Sequence, residues 1–421
     1  MKNHIFLATV ILFIFAFGIS DKVIGLEVKT TPIREHSHLK NQLNIKTNPA
    51  TELGNVQAQQ LDPNKFSISK AGIIDSAFAF TRIACTQFPN GKILTAWEKF
   101  TPDNKCVGEA VIFSEDMQYL SSVYYTNPAD SYLIDENIAL ALDNNTAIIA
   151  YVDKIAHNAK YVVIDSNGAI LKGPIVFCDS YADSISLTFL PGRKTVLLSY
   201  QKLLDITGRG EFQILNEAGE RVLGPVIINT KGYTTDIGAA IVDGTIWFDF
   251  TCGYAKSKIF DLFGNLVRDD VQFGVKKVGP NQPFVMENGN ILLVHVNNSS
   301  QGMSLILGQD GSMITNPFPF TSDSLINLSA SKLSSGNIFV LYTYVPSPGS
   351  DYNSRFTLLD KNGNRIKDLT GVSEDLNVWS DMVSYTILKN GKALIIYGGT
   401  QKNASHILIK QLTSYKIINV Q

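Results

Sequence analysis

Three aspartates hold the same place in a repeated pattern. Asp135, Asp183 and Asp381 each precede a leucine, Leu142, Leu190 or Leu388, by seven residues, and Asp236 falls close to the same place in a further unit. Carboxylates brought together from separate units could hold Ca²⁺ through oxygen ligands, or supply a protonated acid beside an ionised base. The plainer alternative is that each Asp accepts a hydrogen bond from its own loop backbone as the chain enters a strand. No other cofactor is expected. The sequence has no G-x-S-x-G elbow, no H-E-x-x-H and no phosphate-cradling glycine loop.

A second set of residues recurs as well. Trp97, Tyr151, Tyr200, Phe250, His295, Tyr342 and Tyr397 each stand six residues after a turn position, and all seven are rings. Such rings could stack on sugars or other flat ligands, or they could seal the wedge between packed sheets. The polar stretches beside them contain Asp103, His157, Arg209, Tyr254 and Tyr352. Loops on a rigid scaffold are where binding residues concentrate, and solvated side chains are their default.

The elements that must position these residues are legible as a repeat. Turns recur at Asn90-Gly91, Asn144-Asn145, Arg193-Lys194, Asp243-Gly244, Asn288-Gly289, Ser335-Gly336 and Asn390-Gly391. Their second residues are 54, 49, 50, 45, 47 and 55 positions apart. Asn-Gly and Asp-Gly supply the positive φ that a two-residue hairpin requires. Gly168, Gly219, Gly264, Gly311 and Gly363 mark a second turn 23, 25, 20, 22 and 27 residues after the first, and the first and last units lack this glycine. Second strands such as Ile148-Ile149, Leu197-Leu198 and Ile395-Ile396 are apolar on both faces, as a sheet packed between two others should be. Four strands per unit at this period predict an all-β, seven-bladed β-propeller of four-stranded antiparallel blades over residues 66–421. Either end could close the ring, through Phe66 to Ser69 or through Tyr415 to Val420. Closure by the N-terminal strand in the last blade is favoured, because it removes an exposed edge. In that ring Asp135, Asp183, Asp236 and Asp381 approach the mouth of the central channel.

The N-terminus sets a compartment. Lys2 and His4 precede an apolar run from Ile5 to Phe17, with the small residues Ala16, Gly18 and Ser20 around its end, the pattern of a secretory signal peptide over residues 1–20. The run is too short to span a membrane. Residues 21–65 are rich in Asn, Gln, Lys and Thr and read as a disordered linker, where His36 and His38 are solvated rather than metal-bound. With 36 basic and 38 acidic residues and no charged block, nucleic acid and membrane surfaces are not expected partners. An exported chain permits disulfides. Cys85 and Cys106 share a blade and could meet, whereas Cys178 and Cys252 fall in non-adjacent blades as small buried hydrophobes.

The stretch Thr81-Arg82-Ile83, Phe88-Pro89-Asn90-Gly91 and Leu94-Thr95-Ala96-Trp97-Glu98 resembles the opening blade of sialidases. The resemblance implies that Arg82 binds a carboxylate and that Asp103 is a general acid. It covers this blade alone. Ala84 stands at the motif proline, and Trp379-Ser380 stands where a tyrosine-serine nucleophile pair would precede Gly391.

The expected function is therefore an exported, non-catalytic, monomeric binding module for a glycan or an extracytoplasmic protein, secreted or periplasmic. Its candidate ligand residues are Asp135, Asp183, Asp236, Asp381, Arg82, Asp103, Tyr254 and Tyr352, with no metal site expected beyond Ca²⁺ on the acids. The alternatives are a glycoside hydrolase or polysaccharide lyase using the channel-mouth carboxylates, and a structural ring in a larger assembly.

Overall fold

The computed structural model describes residues 67–75, 82–101, 105–126, 134–190, 194–204, 207–229, 235–252, 254–272, 277–346, 352–372, 377–402 and 408–420. The chain divides into two units, Met1–Asn48 and Pro49–Gln421, and every described residue belongs to the second. The signal-peptide and linker expectations, with His36 and His38, lie outside the described residues.

The fold is a seven-bladed β-propeller. Seven four-stranded antiparallel sheets are each built from strands consecutive in sequence, with one exception, and no helix occurs among the described residues. The innermost strands run, blade by blade, over Ala84–Gln87, Ile134–Ala141, Ala182–Leu190, Thr235–Val242, Lys277–Val285, Ser324–Lys332 and Asn377–Ile387. Each neighbours the next, and the seventh neighbours the first, so the ring closes. The exception makes that closure: Ser67–Asp75 pairs antiparallel with Leu408–Asn419, Ser67 opposite Asn419 and Asp75 opposite Thr413. The N-terminal strand is thus the outermost strand of the last blade, as expected. Tyr415 to Val420 belongs instead to that blade's third strand and the residue after it.

Burial follows from this stacking. Thr146–Asp153, the second strand of blade two, is buried at every residue, because both its faces meet a neighbouring sheet. The outermost Tyr119–Tyr124 alternates between half-buried and exposed. The apolar core is correspondingly split into seven clusters, one in each seam between adjacent blades. Ile83, Trp97 and Phe113 of the first blade meet Leu394, Ile396 and Tyr415 of the last across the closing seam. The seven repeated rings, from Trp97 to Tyr397, are all buried; the six other than His295 belong to the seam clusters, so the set forms no stacking rim.

The turns correct the sequence reading in detail. Among the described first turns, Asp243-Gly244 alone is a two-residue hairpin, with φ of +46° and +76° and Val242 opposite Thr245. The others with complete bonding are three-residue loops: Phe88 N donates to Lys92 O at 2.8 Å and Gly91 N to Phe88 O at 2.9 Å, and the pattern repeats from Leu142, Met286, Leu333 and Leu388. A type I turn followed by one left-handed residue needs a single positive φ, here met by Gly91 or Asn145. The second turn is also present in the first blade. Met117 takes the glycine's place at φ +60°, buried at 1% exposure, and Ser114 Oγ accepts from Gln118 N at 3.1 Å. The last blade lacks the turn because its fourth strand comes from the other end of the chain.

The second turns of blades two, three and six clip those blades to the one before. Tyr161 Oη donates to Gly219 O at 2.8 Å, Ser121 Oγ to Asn167 O at 2.8 Å and Ser304 Oγ to Gly363 O at 2.9 Å. A Cβ on Gly219, whose φ is +70°, would lie 2.5 Å from Val163 Cγ2 of the preceding blade. Within the turns, Asp165 Oδ1 accepts from the amides of Asn167 and Ala169, both at 2.8 Å, and Asp261 and Asp360 repeat the arrangement. The cysteine expectation fails for one pair. Cys85 and Cys106 are both free and buried, because Cys85 lies opposite Thr95 and Cys106 opposite Phe100, on either side of the strand between them. Cys178 is free and buried as expected, and the side chain of Cys252 lies outside the description.

Candidate functional site at the channel mouth

Each innermost strand begins on the face where the blades are joined and ends at a tight turn on the other. Near those beginnings the ladder is interrupted in six blades, between Asp135 and Asn137, Asp183 and Ser186, Thr235 and Gly238, Lys277 and Asn281, Leu325 and Asn327, and Val378 and Val383. A bulge lets the chain re-aim a side chain away from simple alternation. In blade two the bulged residue is Glu136, at φ +29°, and in blade three Ser184 takes φ +51°.

The bulge turns Glu136 into a junction of three blades. Its Oε1 lies 2.7 Å from Arg82 Nη1, just ahead of the first innermost strand, and its Oε2 accepts from the Ile185 amide of blade three at 2.9 Å. The Asp183 carboxyl acts on it from the same strand of blade three, and Asp183 Oδ1 accepts from Ser184 N at 2.7 Å. Glu136 has 6% of its side chain exposed and Arg82 has 41%. Burial, reinforced by the Asp183 carboxyl, pushes the Glu136 carboxyl up from its usual 4.5 to about 8, against the opposing pull of the Arg82 guanidinium and the Ile185 amide. The mouth thus presents an accessible cation backed by an acid that keeps its proton near neutrality, with a half-buried Asp beside it.

Of the sequence candidates, Arg82 and Asp183 are brought together here. Asp135 lies next to Glu136, its backbone opposite Val152, and Asp236 and Asp381 lie within the corresponding bulges of blades four and seven; their side chains are outside the description. Asp103 lies outside the described residues. Tyr254 opens the third strand of blade four opposite Cys252, its side chain likewise undescribed. Tyr352 is exposed just ahead of the third strand of blade six, and no described contact joins it to the mouth. His157, at φ +50°, sits in a turn whose Ile155 and Ala156 amides donate to Asp153 Oδ1. Arg209 is held by Glu211, 2.5 Å from Nε to Oε1. Glu136 was not singled out in the sequence, although it adjoins Asp135; the bulge shifts the effective position by one residue. Among the described residues no three His, Cys, Asp or Glu side chains gather into a metal-holding group.

Two further polar clusters lie at the ends of second strands towards the same face. Tyr200 Oη donates to Glu211 Oε2 at 2.8 Å in blade three, and Tyr342 Oη donates to Asp323 Oδ2 at 2.8 Å in blade six. Arg355 pairs with Asp323 at 2.9 Å and lies over the Tyr344 ring. A cavity of about 240 Å³ opens in the seam between blades five and six, over Phe284, Met286, Leu292 and Ile338. It lies by the tight turns, away from the mouth acids.

Comparison with solved structures supports the architecture. A protein of unknown function from Dyadobacter fermentans DSM 18053 superposes at a TM-score of 0.52 with 10% identity, over 86% of this chain and 100% of its own. The polysaccharide lyase Uly1 superposes at 0.52 with 11% identity, over 88% of this chain and 94% of its own. At that identity the likeness shows the fold alone. The intramolecular trans-sialidase from Ruminococcus gnavus, in complex with oseltamivir carboxylate, reaches 0.45 with 10% identity, over 82% of this chain and 95% of its own, too loose to carry weight. No family model and no curated protein matches the sequence.

Proposed function

We propose that the protein is an exported binding module that takes a glycan on the loop face, at the mouth formed by Arg82, Glu136 and Asp183. The observation that carries this reading is the accessible Arg82 guanidinium held in place from behind by a buried carboxyl. An anchored guanidinium offers directed donors to hydroxyl and acidic groups at little further ordering cost. One solved structure of the same fold is described as a polysaccharide lyase, which makes sugar polymers the first ligands to try. Export rests on the N-terminal pattern from Lys2 to Ser20.

A catalytic reading has one observation in its favour: a carboxyl biased towards its protonated form beside a second acid is the pairing that acid–base chemistry uses. Against it, both Glu136 oxygens are engaged inside the protein and its side chain is nearly enclosed. A glycan array run beside hydrolysis and elimination assays on the same sugars separates the two. The binding reading expects retention without turnover, lost in Arg82→Met. Turnover abolished by Asp183→Asn in a folded protein would replace it with the enzyme reading.

A further inference from the structure

The tight-turn rim departs from its own repeat in the seam between blades five and six. Between blades one and two, Asn90 Nδ2 of the first turn donates to Ser166 Oγ of the neighbouring second turn at 2.8 Å. Lys92 Nζ adds a bond to Asn167 Oδ1 at 2.8 Å, and the buried Phe88 fills the space beneath. The closing seam is bridged in the same place, from Asn390 Nδ2 to Glu115 Oε1 at 3.2 Å. Blade five has Met286, Asn288 and Asn290 where blade one has Phe88, Asn90 and Lys92. Blade six has Lys361 and Asn362 where blade two has Ser166 and Asn167. Among the described residues no bond joins these two turns: Asn288 Oδ1 accepts from the Asn290 amide of its own turn at 3.1 Å, and Lys361 and Asn362 are exposed.

Where the bridge is missing lies the cavity of about 240 Å³. Its floor is apolar, with Phe284 and Met286 half-buried over the buried Leu292 and Ile338. Its rim holds two cations. Lys332 Nζ donates to Val285 O at 2.8 Å, which fixes the ammonium at the edge of the floor with further protons left to donate. Lys361 lines the cavity from the second turn, and among the described residues neither lysine pairs with a carboxylate. Glu287, exposed in the first turn, is the acid of the lining. The corresponding gap between blades two and three balances Lys172 and Lys194 against Glu217 and Glu220, with Lys172 3.7 Å from Glu220. An apolar floor with an excess of positive charge belongs to the five–six seam.

We propose that this cavity is a second ligand site, for a small aryl carboxylate: the ring and its short chain lie over Phe284 and Met286, and the carboxylate takes Lys332, with Lys361 beside it. The site lies on the opposite rim from the mouth and does not rest on the function proposed there. Volume sets the size of the ligand. A dry cavity of about 150 Å³ accepts a benzene ring, so this one has room for a ring with about three further carbons. A phenyl ring and a thioether are favourable neighbours for an aromatic body. The floor supplies burial, and the lysines select the anion over its neutral analogue.

The test is NMR on the full chain labelled at its methionine methyl groups. Of the six methionines Met286 lines the cavity, and its signal is assigned through Met286→Leu. The probes are hydrocinnamate, its neutral counterpart hydrocinnamyl alcohol, and acetate as an anion without a ring. The expected result is a saturable shift of the Met286 methyl with hydrocinnamate, half-complete at about tenfold lower concentration than with the alcohol. Acetate should leave the signal in place. Lys332→Met should weaken hydrocinnamate to the level of the alcohol. Met286→Phe with Lys361→Ser installs the residues of the bridged seam and should abolish hydrocinnamate binding, read by calorimetry. Should that double variant fail to fold, Lys332→Met decides alone. A Met286 methyl that hydrocinnamate does not move overturns the site, even if the probe binds elsewhere, and leaves the mouth reading as it stands. Alcohol and acid bound equally well overturn the carboxylate assignment. Undiminished binding in the folded double variant overturns the placement in the seam.

Discussion

The two rims of this ring are made from the same strands and are held by opposite means. At the tight-turn rim, the turns of blades two, three, four and six share the same hydrogen bonds: a left-handed residue and a side-chain acceptor two and four residues ahead of the amides it holds, with a clip to the blade before in blades two, three and six. At the mouth the ladders break, the bulges differ in length, and charged side chains from blades one, two and three meet one another. Regularity marks the rim that carries stability. Departure from the repeat marks the rim free to acquire a ligand, since residues there are constrained less by the ladder than by what they face.

Substitutions can break that division. The largest stability loss is expected at the tight-turn rim from Gly219→Ala, which combines φ +70° with a Cβ 2.5 Å from Val163 Cγ2; it should cost about 2–3 kcal/mol in denaturant unfolding and leave ligand binding unchanged. Next comes the pH response of the mouth. The Glu136 carboxyl is raised in the folded chain, so its contribution is present below 4.5 and lost as pH rises through about 8. Stability of the natural protein should therefore decline across that window, and Glu136→Gln should flatten the decline. Tyr161→Phe, which removes the donor to Gly219 O, should cost about 1 kcal/mol without touching binding. The smallest stability effect, within about 0.5 kcal/mol, is expected for the half-exposed Arg82→Met, the same change that should eliminate binding. A mouth substitution that unfolds the chain, or a turn substitution that abolishes binding while the chain stays folded, would erase the division.

Much of the turn rim was legible in advance. Asn-Gly and Asp-Gly announce positive φ through local chemistry, so the number of blades and their period could be counted from Gly91 to Gly391. The loop length was not legible, because Asn-Gly serves a two-residue turn and a three-residue loop alike. Met117 was invisible as a turn residue; its left-handed backbone is held by burial at 1% exposure, a tertiary contribution. At the mouth the same reasoning found Arg82 and Asp183 but passed over Glu136, since strict alternation fails at a bulge. Cys85 and Cys106 share a blade, yet a strand runs between them.

The sequence alone determined everything that depends on a few adjacent residues: which segments pair as hairpins, where they turn, how many sheets there are and that both their faces must be covered. The tertiary structure alone decided which side chains from segments about fifty residues apart share one mouth, and which of them lose water. A carboxyl's proton affinity follows from burial and from neighbouring charge, and for Glu136 both come from blades other than its own.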